Sequence, residues 1–298
     1  MIIYSIIIPH KNVPNLLERL LNTIPHRDDT EIIIVDDHSD NEIVDFENFP
    51  GLHRPFTKCL FLDESRGAGY ARNKGIEYAQ GKWLLFADAD DFYTGNLNDM
   101  LDRFSENDYT EIVYVNAQSY YESDGRVEPQ YYSHYFERYE KSKIYSEKVL
   151  RFNTYTPWSR MVKKSLVDKY NIRYEEIPVG NDKMFCLLCS KYADKIGIEK
   201  KVVYNYFRQS EGSITYGYSR NLENVRSRLQ LQSRVNSLYK DVNYIFQQSY
   251  LYGYLRSSFK GKDIKELYKD HMRENNISIL YDIKNMCISI IAKVLRII

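Results

Sequence analysis

The chain has no surplus of charge of either sign. Its 298 residues hold 41 Lys and Arg against 41 Asp and Glu. With no basic run either, no net field attracts a nucleic acid, and none is expected as a partner. Long apolar runs are missing as well: no stretch reaches the eighteen or so uninterrupted apolar residues of a bilayer span. The opening Met1-Ile-Ile-Tyr-Ser-Ile-Ile-Ile-Pro9 lacks the basic start and the small-residue cleavage site of a secretory leader, and it reads as a strand. Cysteine is scarce. The four are scattered, Cys186 and Cys189 fall inside an expected helix, and no second pair or paired histidine stands at zinc spacing, so they read as buried reduced thiols. A cytoplasmic protein is the expectation. Tyrosine, by contrast, is abundant at 28 residues, which suits amphipathic packing or sugar-facing surfaces alike.

The most informative stretch runs from Arg66 to Asp91. It reads as a helix opened by glycines, with Ala71, Gly75 and Ala79 on one face, then Gly81 as a stop signal, then a buried strand from Trp83 to Ala87. That strand ends in Asp88, Asp90 and Asp91. Acids at the carboxyl end of a strand lie where open α/β sheets place their ligands. Like charges so close repel unless a cation holds them, and a hard divalent ion, Mn²⁺ or Mg²⁺, binds through one or two carboxylates plus substrate phosphates. The plainer reading of such a cluster is a solvated acidic turn.

Upstream, Ile2 to Ile8 is a near-continuous apolar run, as in a parallel strand covered on both faces. Asn12 is read as the cap of a helix with Pro14 in its first turn and Leu16, Leu17, Leu20, Leu21 and Ile24 at helical spacing. A second strand, Glu31 to Val35, runs into Asp36-Asp37-His38-Ser39. The β-α-β order predicts a right-handed crossover that puts Pro9 and Asp37 at the same sheet edge as Asp88 and Asp90. Further strands are expected at Lys58 to Leu62, Glu111 to Val115 and Lys201 to Tyr206, and a helix from Leu97 to Phe104 with Asn96 as cap. Between Asn116 and Lys143 the tyrosine-rich alternation predicts hairpins or a mobile flap in place of more parallel sheet. From Ser219 on, helices are expected over Leu222 to Tyr239, Tyr244 to Phe259, Ile264 to Met272 and the segment from Ile277 to the end. Gly67-Ala-Gly69 after a strand invites a dinucleotide reading, but the third glycine of that fingerprint is Arg72.

The order Gly-x-x-x-Ala-Arg-Asn-x-Gly, Gly-Lys-Trp, an apolar strand and Asp-Ala-Asp-Asp resembles the family-2 glycosyltransferases of GT-A fold, near those that build bacterial capsules and cell-surface polysaccharides. The resemblance covers roughly residues 1 to 215. It implies a Rossmann-like, mostly parallel nucleotide-binding sheet with a helical C-terminal extension: a nucleotide-sugar half over 1–115, an acceptor half of the same domain over 116–215, and helices over 216–298. Pro9-His-Lys11-Asn resembles the first nucleotide loop, and Val35-Asp-Asp37-His38-Ser a Val-Asp-Asp-Gly-Ser loop whose second Asp accepts a hydrogen bond from the base. His38 stands where the family has Gly, a position suited to positive φ. Arg72 and Asn73 are implied as nucleotide contacts, Asp90 as metal ligand, and Asp88 as lying near ribose or metal.

The Pro-Trp-Ser-Arg stretch around Trp158 resembles a segment beside the acceptor, where the ring would stack on a sugar or serve as a core anchor. Gly180-Asn181-Asp182 resembles the family's Gly-Glu-Asp, so Asp182 is implied as general base, with neutral Asn181 in place of Glu. Arg208 and Ser213 resemble a loop that closes near the diphosphate. The implied reaction is an inverting transfer, metal-assisted, from a UDP-type donor to a saccharide or lipid-linked acceptor. A nucleotidyltransferase and a catalytically inactive carbohydrate- or nucleotide-binding subunit are the alternatives. The last helix reads either as an in-plane anchor at the inner face of a membrane or as a helix docked on its own domain or on a second subunit of a homodimer.

Overall fold

The computed structural model describes residues 1–208, 221–244, 247–257 and 261–294. The chain forms two compact units, one of residues 1–176 with 181–210 and one of 177–180 with 211–298.

The first unit is built on a sheet whose centre is β1 (Tyr4–His10), buried along its whole length. It is flanked in parallel by β2 (Thr30–Asp36) and β4 (Trp83–Phe86), and β3 (Thr57–Phe61) pairs outside β2, also in parallel. Aliphatic continuity explains the placement, because a strand covered on both faces has no polar side to offer. Each fully buried isoleucine of β1 contributes roughly 1.5–3 kcal/mol of transfer free energy. β1 runs past the apolar Ile2 to Ile8 through Pro9 to His10. Pairing with β4 ends at Ile7–Phe86, so the missing N–H of Pro9 falls where the strand has one neighbour.

Helix α1 (Pro14–Thr23) buries Leu17, Leu20 and Leu21, the expected face. Its cap is Val13, not Asn12: Asn12 takes φ +57 and spends its side-chain carbonyl oxygen on the Asp40 N–H at 2.8 Å. Helix α2 (Gly67–Tyr78) lies against β1, with Gly75 at the closest approach; a Cβ there would sit 2.3 Å from the Ile7 side chain. The helix ends at Ala79 in extended conformation, so Gly81 is no left-handed stop. It is glycine because a Cβ would meet the Ser5 backbone at 2.6 Å.

The rest of the sheet is mixed. In the order β3-β2-β1-β4-β8-β6-β9-β5, β8 (Arg160–Lys163) joins β4 and β6 (Ile112–Tyr121) antiparallel, β9 (Ile196–Arg208) runs parallel to β6, and the two-residue β5 (Phe92–Tyr93) closes the edge. β6 thus continues as parallel sheet to Tyr121, past a register shift at Val115/Asn116, and then turns into a hairpin with β7 (Val127–Pro129). Helices α3 (Asn96–Phe104), α4 (Ser133–Glu137), α5 (Lys143–Asn153), α6 (Lys164–Lys169) and α7 (Asn181–Tyr192) complete the unit. Asn96 is the first residue of α3, not its cap; its amide donates to the Val202 carbonyl at 2.9 Å.

The second unit is helical: α8 (Leu222–Asp241), α9 (Tyr250–Ser257), α10 (Lys262–Glu274) and α11 (Ile279–Val294). Asn221 caps α8, its side chain accepting from the N–H groups of Glu223 and Asn224. α9 begins later than periodicity suggests, at Tyr250, because Asp282 of α11 accepts there from the N–H groups of Tyr250 and Leu251. Among the described residues no helix is long and apolar enough to cross a membrane.

Candidate functional site

The sheet topology brings the ends of β1, β2 and β4 to one edge, and the acids at those ends divide into distinct roles. Asp36 is fully buried and structural. Its carboxylate takes the Ser39 N–H at 2.8 Å, the Ser39 hydroxyl at 2.5 Å and His10 Nδ1 at 2.7 Å. Burial pushes its carboxyl up, but His10 and Ser39 outweigh that and hold it below the usual range. His10 Nε2 lies 3.2 Å from the Val13 N–H, which it accepts, so the ring is read as neutral with its proton on Nδ1. His38 has φ +58 and therefore keeps the left-handed turn that glycine would make.

Asp37 is also buried, at the start of α2. It accepts from the Arg66 N–H at 2.7 Å, the Gly67 N–H at 3.0 Å and the Ser65 hydroxyl at 2.8 Å. Lys11 reaches the same Ser65 hydroxyl at 2.6 Å and stands 3.9 Å from Asp37. Pro9, Lys11 and Asp37 thus converge on one corner. A remote carboxylate on the first amides of a helix is an N-cap supplied from another strand.

The β4 end splits three ways. Asp88 accepts from Arg72 Nη2 at 2.5 Å. Asp90 faces solvent, and desolvation at the crevice mouth with the charge of Asp88 beside it pushes its carboxyl up to about 6. Asp91 turns fully inward, accepting from the Tyr204 hydroxyl at 2.8 Å and the Phe207 N–H at 2.7 Å. Burial first, then Asp88 and Asp90, raise Asp91 well above the usual carboxylate range. The Tyr204 oxygen in turn accepts from the Asp88 N–H at 2.9 Å, so β9 holds the acidic turn through this phenol and the Phe207 amide. Among the described residues no three His, Cys, Asp or Glu side chains form a group able to hold a metal ion. The cluster is not a three-carboxylate cage. Asp90 is its solvent-facing acid, which is the donor a hard cation shared with a diphosphate would need.

Arg72 links the acidic turn after β4 to the start of α7. Besides Asp88 it donates from Nη1 to the Asn181 side-chain oxygen at 3.1 Å. Its guanidinium lies over the Tyr174 ring at 5.3 Å, and its buried Nε has no partner among the described residues. Asp182 follows Asn181 in the first turn of α7. Burial raises its carboxyl, Arg72 opposes, and Asp88 adds to the rise. The same burial lowers the Lys183 ammonium to about 8.

Two expected contacts are used elsewhere. Asn73 is buried and clamps the backbone of Tyr174 from both ends, donating to its carbonyl at 3.0 Å and accepting its N–H at 2.8 Å. That fixes α2 to the segment before α7 and commits one donor and one acceptor of the amide. Trp158 is buried and stacks on Tyr204 and Tyr206, at 5.0 and 5.8 Å between centroids. It is a core anchor for the tyrosine that holds Asp91, not a sugar platform. Arg208 ends β9 and donates to the Ser119 hydroxyl at 3.1 Å. Ser213 lies outside the described residues.

Sequence reasoning passed over Arg19 and Tyr204. Arg19, on the polar side of α1, donates to the Asp90 carbonyl at 2.5 Å and lies over the Phe207 ring at 3.8 Å. In sequence it is one more surface arginine. Tyr204 is one tyrosine in an alternating run.

Comparison with known proteins points one way. Residues 5–170 match the model of the family described as Glycosyl transferase family 2. EpsH of Bacillus subtilis (strain 168) is 25% identical over 229 residues, 73% of this chain and 64% of EpsH. A PGL/p-HBAD biosynthesis glycosyltransferase of Mycobacterium bovis is 36% identical over 90 residues, 30% of this chain and 35% of that one. The chain therefore spans less than two thirds of the length of these relatives. Among solved structures, Staphylococcus aureus TarS 1–349 in complex with UDP-GlcNAc superimposes with a TM-score of 0.67 at 19% identity, over 91% of this chain and 80% of that one. Mannosyltransferase PcManGT from Pyrobaculum calidifontis, in complex with GDP-Man and Mn²⁺, gives 0.53 at 14% identity, over 97% and 80%. The fold is the α/β GT-A arrangement followed by C-terminal helices.

Proposed function

The chain belongs to glycosyl transferase family 2, and from that premise we propose an inverting, single-displacement transfer of a sugar from a nucleotide-diphosphate donor, UDP-linked, to a saccharide or lipid-linked saccharide acceptor. The observation that carries the reading is the Arg72 guanidinium, bonded to Asp88 on one side and to Asn181, the neighbour of Asp182, on the other. One fixed cation bonds the donor-side acid and the residue that precedes the acceptor-side acid.

In this reading Pro9, Lys11 and Asp37 form the base corner. Asp37 has given places to three donors, which leaves about one acceptor position of a carboxylate's roughly four for a base N–H. Asp88, held rigid by Arg72, faces the ribose. Asp90 would hold Mn²⁺ or Mg²⁺, which when bound supplies charge neutralisation on the diphosphate. Arg208 adds charge-assisted bonds to phosphate. Asp182 accepts the proton of the acceptor hydroxyl as that oxygen attacks the anomeric carbon from the face opposite the leaving group. Its raised affinity for protons suits a base working near neutrality. The donor half is assigned to 1–115, the acceptor half to 116–215 and a helical extension to 216–298, and the setting to surface polysaccharide synthesis at the cytoplasmic face. TarS, named as a poly(ribitol-phosphate) beta-N-acetylglucosaminyltransferase and 22% identical over 214 residues, supports a polymeric acceptor.

The test is UDP release from a panel of nucleotide sugars, with and without Mn²⁺, by the wild type and by Asp182→Asn. Turnover onto acceptor at the wild-type rate in the variant overturns the base assignment. Metal-independent nucleotide affinity without turnover would favour a binding-only subunit. The left-handed His38 takes away one argument for that alternative, since the loop keeps its shape without glycine.

A further inference from the structure

The second unit contains a cavity of about 590 Å³ that the transfer reaction does not use. Its size falls within the ~300–1,000 Å³ of small-molecule sites. Asn236, Ser237 and Lys240 line it from α8, Tyr250 from α9, and Tyr281 and Asn285 from α11.

The lining is mostly amides, hydroxyls and phenols with one aliphatic side chain, Ile277, and its few charges are already engaged. Asp282 at its edge spends its carboxylate on the Ser249 hydroxyl at 2.8 Å and on the N–H groups of Leu251 and Tyr250 at 2.6 and 3.2 Å. The Lys240 ammonium lies over the Tyr281 ring, 5.2 Å from its centroid. Two other amides are fixed. Asn236 bonds both backbone groups of Gln248 at 2.8 Å, and the Tyr281 hydroxyl donates to the Gln247 side chain at 2.9 Å. Asn285 differs. It is only 5% exposed, lines the cavity, and has no hydrogen-bond partner among the described residues. Its amide opens into the cavity, where a ligand that brings a donor and an acceptor can take the place of water.

We propose that this cavity is a second sugar-binding site, separate from the crevice around Arg72, and that it takes an uncharged oligosaccharide with Asn285 as the central hydrogen-bonding group. An anion would find one cation at the rim, already over a phenol ring. A purely apolar ligand would strand the amides. A sugar ring supplies adjacent hydroxyls, each donor and acceptor, and apolar C–H faces suited to tyrosine.

The experiment is calorimetric titration of the full chain with maltotetraose, cellotetraose and chitotetraose, with saturating UDP present and no donor sugar. Saturable binding of at least one is expected, unchanged by UDP and unchanged in Asp182→Asn, so the result does not depend on the transfer reaction. Asn285→Leu should weaken it at least tenfold. Should that variant fail to fold, Ser237→Trp, a substitution at an exposed position of α8 on the cavity rim, should abolish binding while thermal unfolding stays as in the wild type. Absence of saturable heat with all three sugars, or wild-type affinity in a folded Asn285→Leu or Ser237→Trp, overturns the proposal and leaves the cavity as a hydrated gap.

Discussion

Tyr204→Phe removes one oxygen and tests how the acidic turn is held. The hydroxyl is fully buried, donates to Asp91 at 2.8 Å and accepts from the Asp88 N–H at 2.9 Å. Its ring stacks on Trp158 at 5.0 Å, and phenylalanine keeps that contact, so packing changes little. The loss is a hydrogen bond to a charged group, about 1.5–3 kcal/mol, plus an amide left without its acceptor, about 1–3 kcal/mol. Part of this is recovered if Asp91, already raised, takes a proton and keeps only the Phe207 N–H. A net destabilisation of about 2–4 kcal/mol results, corresponding to a drop in melting temperature of roughly 5–15 °C for a unit of this size. Thermal and urea unfolding followed by tryptophan fluorescence would measure it. UDP titration of the folded variant should show affinity down several-fold, because the Asp88 N–H loses its tether to β9 while Asp91 keeps the Phe207 N–H. A loss under about 1 kcal/mol with unaltered UDP affinity would refute the tether.

Asp182→Asn should lower kcat/KM by about 10²–10⁴ while leaving UDP affinity intact, as expected for a lost general base; calorimetry and coupled UDP-release assays separate the two. Asn73→Ala should cost about 2–3 kcal/mol in urea unfolding, since it strands both backbone groups of Tyr174, with less than a twofold effect on UDP binding. Lys183, lowered to about 8, binds fewer protons folded than unfolded between that pH and its ordinary ~10.4. Wild-type stability relative to Lys183→Met should therefore rise as pH goes from 8 to 10, and matched unfolding curves with no such convergence would refute the buried ammonium.

The parallel half of the sheet was legible because its strands are buried on both faces and its helix has a single apolar stripe; those patterns are local. So was the convergence of strand ends on one edge, which follows from crossover handedness. What could not be read were choices made by residues far along the chain. Nothing local distinguishes Asp91 from Asp88 or Asp90: the hydroxyl of Tyr204 and the amide of Phe207, 113 and 116 positions on, pull it inward. Trp158 is a core anchor because Tyr204 and Tyr206 present two rings to it. Asn12 and Asn96 have the chemistry of caps, but Asp40 and Val202 compete for their amides. Strands of two and four residues, β5 and β8, are too short for a period to show.

His38 shows the opposite case, a local irregularity that the surrounding network overrides. A left-handed non-glycine residue costs roughly 1–2 kcal/mol, yet φ is +58 there. The turn is imposed by its neighbours: Asp36 takes both the N–H and the hydroxyl of Ser39, that hydroxyl oxygen accepts the Asn12 N–H at 2.9 Å, and His10 closes the far side of Asp36. These bonds outweigh the strain, and residue 38 follows. His38→Gly should therefore change the turn little and stabilise the fold by less than about 1 kcal/mol, since relief of strain is partly offset by the added freedom of glycine in the unfolded chain. Asp36→Ala, which removes both oxygens that set the turn, should disorder the loop and weaken UDP binding. Equal effects of the two substitutions on unfolding would mean that residue 38, not Asp36, sets the loop.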